Sequence, residues 1–295
     1  MKSQPEIKFQ KITGRRKVPS PNRKPAPPPK TIERDGAPEE VAALARGLTV
    51  LRAVAAADAP ISNRELAEVT RIPKPTVSRL TATLVGAGFL YRLPDSERFV
   101  LTAAVLELSN GFLRNFDIRA RARPFLVELA EKTSLSVHLA TRDRLDMVVI
   151  ETIRPRSAIL VSRLEIGSRM DLTRTAVGRA YLGVLAEPER DALMSGLQAA
   201  AGDDWPHIHA RLAPALAETQ ANGYAIATGE WYEGLNAIAA GFVGPSGERY
   251  AVNCGGAAHL CPREWLIEHA APALVACVAQ IVREIGGAPR LRLRD

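Results

Sequence analysis

Ser62-Asn63-Arg64-Glu65 opens the forty residues that most restrict what this chain can fold into. It has the S-x-x-E spacing of a capping box, in which a hydroxyl and a carboxylate satisfy the orphan N–H groups at a helix start. A short helix is predicted over Glu65-Leu66-Ala67-Glu68-Val69, and Thr70-Arg71-Ile72-Pro73 breaks it. A second helix restarts through residues 74–84, with Pro75 tolerated in the first turn, where an N–H has no intrahelical acceptor anyway. Gly86 and Gly88 are expected to end it. Two short strands, Phe89–Leu93 and Arg98–Leu101, follow around the polar turn Pro94-Asp95-Ser96-Glu97. Helix, turn, helix and hairpin at this spacing read as a winged helix-turn-helix.

The second helix has two different faces. Val77, Leu80 and Leu84 recur at i, i+3 and i+7 and are expected to bury together. Thr76, Ser78, Arg79 and Thr83 lie elsewhere on the cylinder and suit base edges and phosphates. Between Val69 and Pro94 there is no Asp or Glu, while Arg71, Lys74, Arg79 and Arg92 are present. A surface that lies on phosphates excludes carboxylates. The candidate DNA contacts are therefore Arg71, Lys74, Pro75, Thr76, Ser78, Arg79, Thr83 and Arg92.

Charge needs to be located before it is used. The chain carries a formal net charge of +7, and residues 1–36 hold ten Lys/Arg against three Asp/Glu, so the remainder is neutral overall. That segment also has seven of the 21 prolines and is expected to be a disordered or polyproline-like tail. It is expected either to add non-specific attraction to DNA or to be a solubilising extension. No run of eighteen apolar residues and no apolar signal core occurs, so the expectation is a cytoplasmic protein without a membrane span.

Catalysis finds little support. There is no G-x-S-x-G, no Walker loop and no G-x-G-x-x-G after a strand, so an enzyme is not expected. Glu230 and Glu233 beside Trp231 form an acid pair with no base or nucleophile to join it. Cys254, Cys261 and Cys277 are odd in number and fit a reduced compartment. His259-Leu260-Cys261 and His207-Ile208-His209 lack the spacing of established metal motifs, so no metal and no cofactor is expected. A redox- or metal-responsive regulator using Cys254 and Cys261 remains the alternative.

The rest of the chain organises around the helix-turn-helix. A helix over Glu39–Ala57 has Val41, Leu44, Leu48, Leu51 and Val54 at helical spacing and should pack across it. The DNA-binding domain is thus residues 37–101. A helix over Thr102–Arg114 is expected to pack its Val105, Leu106, Leu108 and Leu113 face, within a linker at 102–117. A second domain, 118–288, reads helix, strands at Leu135–Ala140, Leu145–Ile153 and Ile159–Val161, three helices, then strands at Gly223–Ala227, Leu235–Val243 and Tyr250–Cys254. A long last helix begins at Pro262 and ends at Gly286-Gly287. The fold class is α+β.

Four stretches carry a family resemblance. They are Ile72-Pro73-Lys74-Pro75-Thr76-Val77-Ser78-Arg79-Leu80; Ile166 to Thr173 with Thr175-Ala176-Val177-Gly178-Arg179-Ala180; Asn222-Gly223-Tyr224-Ala225 with Glu233-Gly234-Leu235; and Ala239-Ala240 with Ala251 to Gly256. In this order they resemble the IclR family of bacterial transcription regulators over about residues 39–287. The resemblance implies an N-terminal winged helix-turn-helix and a C-terminal GAF-like effector-binding domain. It implies dimers, often paired into tetramers, on double-stranded DNA with a pseudo-palindromic operator, and a small carboxylic acid as effector. By position it maps the pocket onto backbone N–H groups of Ala176 and Val177, onto Ala227, Ala237, Cys254 and Gly256, and onto apolar walls at Ile159, Met170 and Leu235. The family often has an acid where Ala227 stands, a basic residue at Asn236, a polar or cysteine side chain at Ala237, and hydroxyls at Cys254 and Gly256. Asn253, Trp231 and Tyr232 are nearby replacements for that lost polarity. The implied effector is therefore aromatic or largely apolar, or the pocket is an orphan.

Overall fold

The computed structural model describes residues 41–94, 96–114, 117–155 and 164–289. The N-terminal tail and the strand expected at Ile159–Val161 lie outside the described residues, as does the pocket wall expected at Ile159. The chain divides into two compact units, one up to Val105 and one from Leu106.

The first unit holds helices α1 (Ala42–Ala55), α2 (Asn63–Thr70) and α3 (Lys74–Gly86) and strands β1 (Ile61–Ser62), β2 (Leu90–Arg92) and β3 (Arg98–Leu101). The capping box forms as expected: the Glu65 N–H donates to Ser62 Oγ at 3.3 Å and the Ser62 N–H to Glu65 Oε2 at 2.8 Å. The Ser62 N–H and the Ser62 hydroxyl, which donates to Glu65 Oε2 at 2.7 Å, followed by Arg98, hold the Glu65 carboxyl down at about 2. Arg98 on β3 reaches both Glu65 oxygens at 3.0 and 3.1 Å, so the helix start is tied to the wing. The α2–α3 turn passes through Arg71 in the left-handed region, at φ 58°. The hairpin gains a third strand: Ile61 pairs with Phe99 and gives the order β1-β3-β2.

Two expectations about this unit change. Val77 is fully buried, but Leu80 and Leu84 are only half-buried, and Thr81 fills the remaining inward position. Its hydroxyl donates to Asn63 Oδ1 at 3.0 Å, which satisfies the buried polar group. On α1 only the C-terminal half packs inward: Val50 and Val54 are buried while Val41, Leu44 and Leu48 are exposed. The helix is longer than the small sheet and α3 can cover.

The second unit begins with α4 (Ala104–Leu113, from just before the boundary) and α5 (Ile118–Thr133). No residue of α4 is buried, and Leu106 and Leu108 are exposed, so the apolar face expected to pack is left uncovered among the described residues. Strands β4 (Ser136–Asp143), β5 (Asp146–Ile153), β6 (Arg169–Asp171), β7 (Ala225–Thr228), β8 (Leu235–Val243), β9 (Arg249–Ala257) and β10 (Ala288–Pro289) make one antiparallel sheet in the order β10-β8-β9-β4-β5-β6, with β7 also paired to β8. On one face Leu126, Leu129, Val137, Ile238, Val252 and Leu274 join a core under α5 and the last helix. That helix comprises α9 (Arg263–Trp265), one π turn over Leu266–Ala270, and α10 (Ala271–Ile285). The π turn sits just ahead of Pro272, which has no N–H to give and whose ring crowds the carbonyl four residues back. The whole run is long and apolar enough in composition to cross a membrane, but one face of it is core. On the opposite face of the sheet lie α6 (Ala176–Val184), α7 (Glu187–Ala201) and α8 (Trp205–Asn222), over Met147, Val149, Ala239 and Ala251.

Candidate nucleic-acid interface and effector pocket

The α3 surface is built as the sequence implies, with local qualifications. Arg71, Lys74, Pro75, Arg79, Thr83 and Arg92 are exposed, and Thr76 and Ser78 are half-buried. No ion pair is made by Arg71, Lys74 or Arg79 among the described residues, which leaves three cations facing outward. Ser78 is partly engaged, because its Oγ accepts from Asn63 Nδ2 at 3.3 Å. Thr83 donates its hydroxyl to the Arg79 carbonyl at 3.0 Å. Arg92 is paired with Glu97 at 2.7 Å across the hairpin. The acid-free stretch is continuous only along the chain, and the hairpin returns the Glu97 carboxylate to Arg92.

The pocket lies where α6 starts against the sheet. Asp171 fixes that start: its Oδ1 accepts from the N–H groups of Thr173 and Arg174 at 2.8 and 2.9 Å. Thr175 then caps the helix, its Oγ1 accepting the Gly178 N–H at 3.1 Å. The N–H groups of Ala176 and Val177, first in the helix, have no intrahelical acceptor and carry the partial positive charge of a helix N-terminus. Both residues line the pocket, together with Met170, Ala227, Leu235, Ala237, Asn253 and Gly256. The empty space is about 600 Å³, including the open mouth.

Cys254 is not part of this wall. It is fully buried on the other face of the sheet, in the core under α5 and α10. Side chains alternate across a strand, so placing Asn253 in the pocket sends Cys254 away from it. Burial raises the thiols of Cys254, Cys261 and Cys277, that of Cys277 to about 12. All three cysteines are free and buried, with little of the thiolate that redox chemistry uses. Among the described residues no group of three His, Cys, Asp or Glu could hold a metal ion.

The structure adds Ser136, His138, Leu164, Thr175, Glu230 and Gly255 to the lining, and Trp231, expected nearby, lines it too. Trp231 packs on Tyr232 with ring centroids 4.4 Å apart, and Tyr232 itself is outside the lining. Glu230 is not half of an acid pair: Arg179 binds it through both terminal nitrogens, one contact at 2.8 Å, and donates to the Thr173 and Ile226 carbonyls at 3.0 and 3.2 Å. His138 is 5 % exposed, and its pKa is lowered to about 4 by burial first and then by the Arg154 guanidinium, with Glu165 opposing. It is therefore neutral at pH 7. Period-2 alternation along β4 groups Ser136 with His138, but only the fold shows that this face is the one beneath α6.

A winged helix-turn-helix with an outward-facing basic recognition helix defines a DNA-binding protein. The comparisons give the family. The model described as IclR helix-turn-helix domain matches residues 43–94, and that described as Bacterial transcriptional regulator IclR C-terminal matches residues 110–283. The HTH-type transcriptional regulator TsaQ1/TsaQ2 of Comamonas testosteroni is 33% identical over 251 residues, 84% of this chain and 90% of that protein. The transcriptional repressor IclR of Escherichia coli K12 is 26% identical over 211 residues, 68% of this chain and 74% of that one. The crystal structure of an IclR family transcriptional regulator from Brucella abortus superposes with a TM-score of 0.72 at 35% identity, over 85% of this chain and 96% of that one. The chain belongs to the IclR family of bacterial transcriptional regulators.

Proposed function

We propose that this regulator acts in the cytoplasm, reads a pseudo-palindromic operator as a dimer or tetramer, and is switched by a small carboxylic acid that is aromatic or largely apolar. Residues 37–101 bind DNA, 118–288 bind the effector, and 102–117 link them. The carrying observation is the pocket: a mostly apolar wall that includes Ala176 and Val177, the first two residues of α6, whose N–H groups have no intrahelical acceptor. An acid docks its carboxylate at such a helix start, and shape then selects the remainder. Self-association is supported by the exposed apolar residues of α1 and α4, Leu44, Leu48, Leu106 and Leu108 among them.

The test is calorimetric titration of the full chain against a panel of aromatic and aliphatic acids, with Ala176→Phe beside it. Ala176 is 1 % exposed, so a phenyl ring there fills the site. At least one aromatic acid is expected to bind the parent protein, and Ala176→Phe to lose that binding while its affinity for DNA in the absence of acid stays unchanged. Tight binding of two-carbon acids with no aromatic binder would overturn the effector class, and silence across the panel would leave an orphan pocket.

A further inference from the structure

Two buried polar atoms on pocket-lining side chains have no partner among the described residues. His138 Nδ1 and Asn253 Oδ1 are both buried and make no hydrogen bond among the described residues. The two side chains are 5 % and 6 % exposed and both line the cavity. They are also neighbours: in the β4–β9 ladder His138 stands directly opposite Asn253. Residues so paired share a face of the sheet, with Cβ atoms roughly 5 Å apart. Buried polar atoms left unpaired cost stability, and a cavity wall retains them for a ligand or a water.

Their chemistry narrows that ligand. A neutral imidazole offers a donor or an acceptor at Nδ1 according to tautomer, while the Asn253 carbonyl oxygen only accepts. A carboxylate brings two acceptors and would face that oxygen unfavourably, so the acid group belongs at the α6 end. An apolar group satisfies neither atom. A hydroxyl satisfies both, accepting from Nδ1–H and donating to Oδ1. We propose that His138 and Asn253 are a hydroxyl-reading pair, and that the effector is a hydroxy acid whose hydroxyl lies at the β4–β9 end of the pocket. This rests on the acid-effector reading above.

Matched acids with and without one hydroxyl separate the two. Benzoate is compared with meta- and para-hydroxybenzoate, phenylacetate with its para-hydroxy form, and cyclohexanecarboxylate with its hydroxy form, by calorimetry on the full chain, on His138→Phe and on Asn253→Leu. In the parent protein at least one hydroxy acid is expected to bind roughly ten- to a hundredfold more tightly than its partner without the hydroxyl. In either variant that preference should fall below about threefold, because the loss falls on the hydroxy acid more than on its partner without the hydroxyl. Both variants remove an unpartnered polar group, so both should melt no lower than the parent. If the acids bind and the hydroxyl makes no difference, or its preference survives both variants, the inference fails alone and the pair holds a water. Equal loss of the hydroxyl-free acids in the variants would put the carboxylate on the pair and also overturn it. If no acid binds the parent protein, the effector reading fails, and the inference fails with it.

Discussion

Gly178→Ala is expected to cost the second unit more than about 3 kcal/mol and to remove its cooperative unfolding transition. The reason is a backbone contact. Gly178 lies in the first turn of α6, and a Cβ there would stand 2.5 Å from the Leu172 Cα and closer still to its carbonyl oxygen. Overpacking against a side chain can relax by a rotamer change, but a main-chain carbonyl in a tight turn has nowhere to go. Leu172 is held by that turn, since Asp171 on one side and the capping Thr175 on the other are hydrogen-bonded to each other, the Thr175 hydroxyl donating to the Asp171 carbonyl at 2.6 Å. The same helix meets the sheet at Gly241, where a Cβ would lie 2.5 Å from the Ala180 carbonyl oxygen. Helix α6 therefore sits closer to its surroundings than side chains allow, and that closeness sets its first two residues against the pocket. Urea unfolding of the full chain followed by circular dichroism reads the effect. An unchanged midpoint would show that the turn at Leu172 is soft.

Arg179→Met is expected to cost roughly 3 kcal/mol, less than a fully buried pair would because Glu230 retains some solvent. Arg179 is 2 % exposed and donates to Glu230 and to the carbonyls of Thr173 and Ile226. Removing it strands a carboxylate at the pocket wall and two buried acceptors. Adding Glu230→Gln should recover part of the loss, because the isolated charge is then gone. Denaturant midpoints of the single and double variants measure both numbers. If the double variant is no more stable than Arg179→Met, the cost comes from lost packing rather than from the abandoned carboxylate.

Both sites were partly legible in the sequence, and the reasons differ. The capping box is local: four residues specify it, and no distant contact can reverse it. Strand β8 reads clearly because Leu235–Val243 is an apolar run broken only by Asn236 and ended by a Gly-Pro turn. Strands β1, β6 and β10 are two or three residues long and exist only because a longer strand offers them hydrogen bonds. A propensity pattern cannot show that. Family position points to about half of the pocket wall, yet for Cys254 it is one step out along β9, which in a strand reverses a side chain completely. His138 escaped because alternation shows that it shares a face with Ser136 without showing what covers that face. Likewise the Arg92–Glu97 pair joins residues on the two arms of a hairpin, which a scan for acids along the chain does not bring together.

Operator reading by α3 is tested most directly by selecting bound duplexes from a random-sequence pool with the full chain, in parallel with Arg79→Ala. Arg79 is exposed at the middle of α3 and makes no ion pair among the described residues. The parent protein is expected to enrich an inverted-repeat sequence, and Arg79→Ala to bind that sequence about 1–3 kcal/mol more weakly with relaxed choice in each half-site. No enrichment by the folded parent protein, or the same sequence recovered with unchanged affinity by Arg79→Ala, would contradict the assignment of α3 as the DNA-reading helix.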